Sequence, residues 1–206
     1  MTKGVGVLAL QGDFEAHHRA LSALDYASLL VKRANELNAV SGIILPGGES
    51  STMLKLMSAE FRSALCEAIL QGLPVLATCA GLILLAKNVR GPVQESLDLL
   101  DIDVERNAYG RQLESFVDSQ IQWTEQGAAC LGDNVPPYCE GVFIRAPKIT
   151  RLGTAVTVLA KQADDPVLVE SGSILGATFH PELSDSCQSI YKMFSAKCRA
   201  YCSFGS

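Results

Sequence analysis

The sequence lacks any apolar run approaching the roughly 18 residues that a membrane span requires, so no spanning helix is expected. It also lacks a basic excess. Its 17 Lys and Arg stand against 22 Asp and Glu, for a net charge of -5. That balance argues against a nucleic-acid partner, which calls for a basic face to neutralise phosphates. There is no Cys-x-x-Cys pair, and the seven cysteines are an odd number. The first residues, MTKGVGVLALQGD, read as a strand rather than a secretory leader, because the small-residue cleavage region is missing. A disulfide framework is therefore not expected, and a reducing cytoplasm is. Cys198 and Cys202 share a helix face at i, i+4, but the two further ligands that zinc needs are not nearby. Internal repeats and low-complexity segments are absent. GGESST, at residues 47–52, lacks the Gly-Lys-Ser/Thr pattern of a phosphate loop.

What is there is a globular composition, 48% hydrophobic and 19% charged. A chain of 206 residues suits one domain, residues 1–206, with a substantial core. Short apolar runs at 4–10, 28–32, 42–45 and 74–77 alternate with helical patterns at 14–24, 36–40, 52–57, 60–71 and 80–87. Asp13, and Ser50 or Ser51, stand where helix caps are expected. Near-continuous apolar strands separated by helices predict a mostly parallel open sheet flanked by helices. After residue 88 the rhythm changes. Strand-like runs at 99–105, 114–122, 141–145, 154–160, 167–170 and 174–179 follow with hardly any helix between them. An antiparallel or mixed extension is expected there. Residues 123–137 read as loop, and a last helix as 184–201.

Residues 74–88, PVLATCAGLILLAKN, place Cys79 between a buried strand and a buried helix, with Ala77, Thr78, Ala80 and Gly81 around it. A strand turning sharply into a helix holds one side chain up and aims backbone N–H groups at the same place, which is a nucleophile elbow. The helix start favours a thiolate. A buried structural cysteine explains the stretch alone equally well.

Of three histidines, His17 and His18 lie in the first helix, where a surface or half-buried helical histidine explains at least one of them. His180 opens His180-Pro181-Glu182 after an apolar run. In an extended segment residues two apart point the same way, setting Glu182 beside His180 to fix its tautomer and leave the other ring nitrogen for a thiol. Pro46-Gly47-Gly48-Glu49 follows the third strand, at the edge where open α/β sheets bind ligands.

Cys79 in TCAGLILLAKN, with His180-Pro-Glu182 near the C-terminus, resembles the triad glutamine amidotransferases. Within them the resemblance is to the family of glutaminase subunits of pyridoxal 5′-phosphate synthases. It rests on LALQG (8–12), LPGGESST (45–52), VERNAYGRQ (104–112), Ser115-Phe116, VFIRAP (142–147) and FHPEL (179–183), in the family's order and spread over nearly the whole chain. The resemblance implies a class I glutamine amidotransferase-like fold with Cys79, His180 and Glu182 as the triad. It implies glutamine binding at Gly47, Gly48, Glu49, Arg106, Ile144 and Arg145. The oxyanion would accept from the N–H of Ala80 and from the Gly47–Gly48 backbone, and Gln11 would take part in activation by the partner. It further implies no bound cofactor, and release of ammonia to a separate (β/α)8-barrel synthase subunit in a hetero-oligomeric complex. Ala77 departs from the glycine more often found there. Rival readings are a glutaminase for another synthase, a γ-glutamyl hydrolase, a cysteine-bearing α/β regulator and a non-catalytic subunit.

Overall fold

Strand β1 (Gly4–Leu8), helix α1 (Phe14–Ser22), strand β2 (Ser28–Val31), a 3-10 turn over Ala34–Ala39 and strand β3 (Val40–Leu45) open the chain. They are seen in a computed structural model that describes residues 3–106, 108, 115–132 and 137–204. Helices α2 (Ser50–Leu56) and α3 (Ala59–Leu70), strand β4 (Val75–Thr78) and helix α4 (Ala80–Leu85) complete the alternation. Ser58 caps α3, its hydroxyl accepting the Phe61 N–H at 3.1 Å. The caps expected from the sequence differ. Asp13 stands at the N-cap of α1 without a side-chain bond, and Glu49, not a serine, holds that position at α2. Ser50 instead donates to Gln94, and Ser51 to Glu49.

Helix α4 stops short of the expected 80–87. All six of its residues are buried, whereas Lys87 is exposed. The chain leaves the helix at Ala86 as strand β5 (Ala86–Arg90), which carries Lys87 to the surface and pairs with β6 (Leu100–Glu105). Strand β7 (Ser115–Trp123) follows. The stretch expected as loop then contains helix α5 (Glu125–Leu131), because Thr124 caps it by accepting the Gly127 N–H at 3.1 Å. Strands β8 (Tyr138–Ile144), β9 (Lys148–Leu152), β10 (Thr157–Gln162), β11 (Asp165–Ser171) and β12 (Ile174–Ala177) precede helix α6 (Gln188–Phe204). Here β9 is unforeseen and β10 begins later than residue 154. The last helix begins at Gln188, since two 3-10 turns, Pro181–Leu183 and Asp185–Cys187, occupy the residues before it. Residues 107 and 109–112 of the VERNAYGRQ block, and 133–136 of the expected loop, lie outside the described residues.

The main sheet runs β2-β1-β3-β4-β12-β11-β10-β7-β8, and a smaller one runs β5-β6-β9. Strands β2, β1, β3, β4 and β12 are parallel, while β11, β10, β7 and β8 continue antiparallel. Alternation along the strands sorts the core into two layers. Ile43 and Leu45 pack with Leu65 and Leu82 on one face, while Ile44 packs with Leu21 and Phe194 on the other. Both faces of the parallel half are thus covered, which is why its strands read as unbroken apolar runs. Four adjacent parallel strands, β1, β3, β4 and β12, end at the same edge, where open α/β sheets place their ligands.

Candidate active site

Each of those four strands delivers one part of the site. Beyond β4, Cys79 holds φ 46° and ψ -102°. A non-glycine residue in this region costs on the order of 1–3 kcal/mol and persists only where its surroundings fix it. Two contacts fix it here. The Cys79 N–H donates to the Ala177 carbonyl at 2.9 Å, extending the β4–β12 ladder. Gly81 lets α4 lie against β3, since a Cβ at that position would collide with the Leu45 carbonyl oxygen. Ala77 is fully buried with its register to Leu45 and Gly176 intact, so the departure from glycine is absorbed. The Cys79 thiol makes a weak contact of 3.8 Å to the Ile144 carbonyl oxygen.

Beyond β12, the His180 N–H donates to the Val142 carbonyl at 2.8 Å, and Nδ1 lies 2.7 Å from Glu182 Oε1. The segment is not extended as the spacing suggested. Pro181 opens a 3-10 turn whose curl brings Glu182 back beneath the ring. The Glu182 side chain is 0% exposed. Burial alone would lower the His180 pKa, but the Cys79 thiol and the Glu182 carboxylate outweigh it and raise the value to about 10. Burial pushes Glu182 toward the neutral acid, and the His17 and His180 rings reverse this, leaving its pKa below the usual carboxylate value. His180 Nε2 is buried without a hydrogen-bond partner among the described residues, on the side of Cys79.

Beyond β3, Gly47 lies against the His180 imidazole, and a Cβ there would strike the ring. Gly48 has φ 152°, and a Cβ there would come within 2.6 Å of Gln11 Oε1. Gln11, from the loop after β1, accepts the Glu49 N–H at 2.8 Å, and the Asp13 N–H donates to the Gly47 carbonyl at 3.1 Å. The 47–49 strip is thus fastened to the β1–α1 loop at two points. Because a trans peptide sets N–H and C=O on opposite sides, the Gly48 N–H faces away from that loop.

Arg106 donates to Glu49 Oε1 and to Gln94 Oε1, both at 2.8 Å. Although burial opposes it, the Ser51 hydroxyl and Arg106 hold the Glu49 carboxyl below its ordinary value. Ile144 and Arg145 lie at the end of β8. Arg145 has φ 46°, is exposed, and makes no ion pair among the described residues. Of the residues singled out from the sequence, Cys79, His180 and Glu182 are thus joined to Gly47, to Ile144 and, through the 47–49 strip, to Glu49 and Arg106, while Arg145 follows Ile144 in the chain.

Sequence reasoning left one neighbour unassigned. His17 is 0% exposed, with Nε2 3.4 Å from Glu182 Oε2. The available signal was a polar residue in the apolar stripe of α1, with Leu21 buried one turn on.

A strained cysteine at a strand-to-helix turn, facing a histidine bonded to a buried carboxylate, places the chain among α/β proteins built on a nucleophile elbow. The model of the SNO glutamine amidotransferase family matches residues 7–200, and the chain belongs to this family. It is 47% identical over 195 residues to the pyridoxal 5′-phosphate synthase subunit PdxT of Solibacter usitatus, covering 95% of this chain and 99% of that protein. To the subunit of the same name from Kosmotoga olearia it is 49% identical over 192 residues, covering 92% and 95%. A crystal structure of a glutamine amidotransferase superposes with a TM-score of 0.83 at 39% identity, covering 95% of this chain and 98% of that one. A chain in the structure of PurLQS from Thermotoga maritima shares the fold, with a TM-score of 0.67 at 14% identity over 95% of this chain and 99% of that one.

Proposed function

We propose that the chain, acting as one glutamine amidotransferase domain in the cytoplasm, hydrolyses L-glutamine to L-glutamate and ammonia. The ammonia passes to a (β/α)8-barrel synthase subunit that makes pyridoxal 5′-phosphate, within a hetero-oligomeric complex. The observation that carries this reading is the alignment of Cys79, His180 and Glu182 beside the Glu49–Arg106 pair. His180, with its raised proton affinity, already holds the thiol proton on Nε2 as sulfur attacks the amide carbon of the substrate side chain. The oxyanion accepts from the Ala80 N–H, at the start of α4 where a helix leaves its first donors unused, and from the Gly48 N–H. His180 then protonates the departing nitrogen, and ammonia leaves a γ-glutamyl thioester. Water, giving its proton to the same ring, cleaves the thioester to glutamate and restores the thiol.

Glu49 meets the substrate ammonium with its second oxygen. Arg106 is already engaged by Glu49 and Gln94, which leaves Arg145 as the guanidinium open to the α-carboxylate. Gly47→Ala should drive the His180 ring out of line and lower glutamine turnover by about 10²-fold with the fold intact, as measured by glutamate release and circular dichroism.

The two fastenings of the 47–49 strip give the partner a handle. Two glycines let the peptide between them rotate at low steric cost out of the orientation held here, exchanging the N–H for a carbonyl at the oxyanion unless the partner fixes it. Glutamate release should therefore rise when the synthase docks, by up to about 10²–10³-fold, the worth of one oxyanion donor. Gln11→Ala should blunt that rise. Release by neither the chain alone nor the complex would overturn the glutaminase reading, and equal rates in the two would overturn the coupling.

A further inference from the structure

A buried carboxylate needs partners for both oxygens, because an unpaired charge in the interior is strongly unfavourable. Oε1 of Glu182 has His180 at 2.7 Å. Oε2 has no hydrogen bond within the usual limits among the described residues, and the group facing it is His17 Nε2 at 3.4 Å. That same Nε2 lies 3.2 Å from Thr78 Oγ1, and His17 Nδ1 lies 2.8 Å from the Tyr191 hydroxyl. His17 thus joins three elements: α6 through Tyr191, the elbow strand through the residue preceding Cys79, and the His-Pro-Glu turn through Glu182.

A neutral imidazole has one donor and one acceptor nitrogen. If Nδ1 carried the proton, the Nε2 lone pair would face the Glu182 carboxylate. The repulsion selects the other tautomer: the Tyr191 O–H donates to Nδ1, and the Nε2–H, bonded to Thr78 Oγ1, turns the positive end of its dipole toward Glu182 Oε2 at 3.4 Å. The charges around the ring agree. Burial lowers the His17 pKa against the pull of Glu182 and Asp13, and with the help of His180, so the ring is neutral. Burial and the Glu182 charge raise the Tyr191 pKa, so its hydroxyl keeps its proton.

We infer that His17 is a positioning residue of the triad, a neutral donor that completes the Glu182 carboxylate and holds it against His180 in register with the elbow. Neutrality matters. A cation at residue 17 would compete with His180 for the carboxylate charge, whereas an N–H dipole leaves that charge to the catalytic ring.

The inference rests on the glutaminase reading, and the test separates the two. Glutamate release by the complex with its synthase is measured against pH for wild type, His17→Leu, His17→Gln and Tyr191→Phe. Cys79 alkylation by iodoacetamide follows the thiol without any substrate. The glutaminase reading alone fails if the wild-type complex releases no glutamate. If His17 positions Glu182, His17→Leu lowers kcat by about 10–100-fold, the worth of a hydrogen bond to a charged group, and leaves KM within about twofold. Its acid limb moves to higher pH, because the carboxylate now protonates more readily, and the pH profile of alkylation moves with it. His17→Gln, whose amide N–H reaches the Nε2 position, restores most of both. Tyr191→Phe, which frees the tautomer but keeps the packing, gives a smaller shift in the same direction and serves if His17→Leu does not fold. Unmoved pH limbs in the folded variants, or equal losses in His17→Leu and His17→Gln, would overturn the role.

Discussion

Cys79→Ala should abolish glutamine hydrolysis, a loss of about 10⁴-fold or more, while the chain still folds and still binds its synthase. The sulfur is the sole nucleophile in the mechanism, and removing the nucleophile from a triad leaves only the binding and oxyanion contributions. Its structural role is small. The thiol's contact with the Ile144 carbonyl is a weak 3.8 Å, and the strained backbone of residue 79 is fixed by main-chain contacts. A diazo-ketone analogue of glutamine should label Cys79 and spare the other cysteines. Burial raises the thiol pKa of Cys66 and lifts Cys198 to about 12, while Cys187 is pushed up by its contact with Cys139 and by burial. Mass mapping that found label on Cys66 or Cys187 with Cys79 untouched would sink the assignment.

The second large effect separates His180 from Glu182. His180→Asn removes both the base for the thiol and the acid for ammonia, so turnover should fall to near background. Glu182→Gln keeps a hydrogen-bonding group beside Nδ1 and loses only the charge, so it should retain clearly more activity. Wild-type rates in either variant would count against the triad. The same pair predicts a stability signature. The folded-state pKa of His180, about 10, lies above the ordinary 6.5. The protonated ring therefore contributes stability that is full below pH 6.5 and is lost as pH rises through about 10. Urea unfolding between about pH 6 and 10 should show that decline in wild type and a flatter profile in His180→Asn.

The elbow was legible because it is a local event: four apolar residues, a turn of small side chains and a helix leave few other conformations. The helix-flanked parallel sheet was legible for the same reason, as periodicity is written within each segment. Other features depend on what lies across the molecule. Ala86 turns from helix to strand because β6 is there to pair with it. Short α5, with Gly127 and two alanines, shows no periodicity, and its cap at Thr124 was the one local sign. His17 reads as an ordinary helical histidine until β4 and the His-Pro-Glu turn are set beside it. Likewise, the Glu49–Arg106 pair spans elements that the sequence alone does not bring together.

Strand β12 lies between β4 and β11, pairing in parallel with β4 although residues 79–173 separate them along the chain. Closing so long a loop is slow relative to local contacts, and the inserted strand ends in the segment that carries His180. On the ribosome, then, a growing chain has its cysteine early and its histidine late. Between the two the thiol has no histidine partner, and the site that liberates ammonia is complete only once β12 has paired with β4.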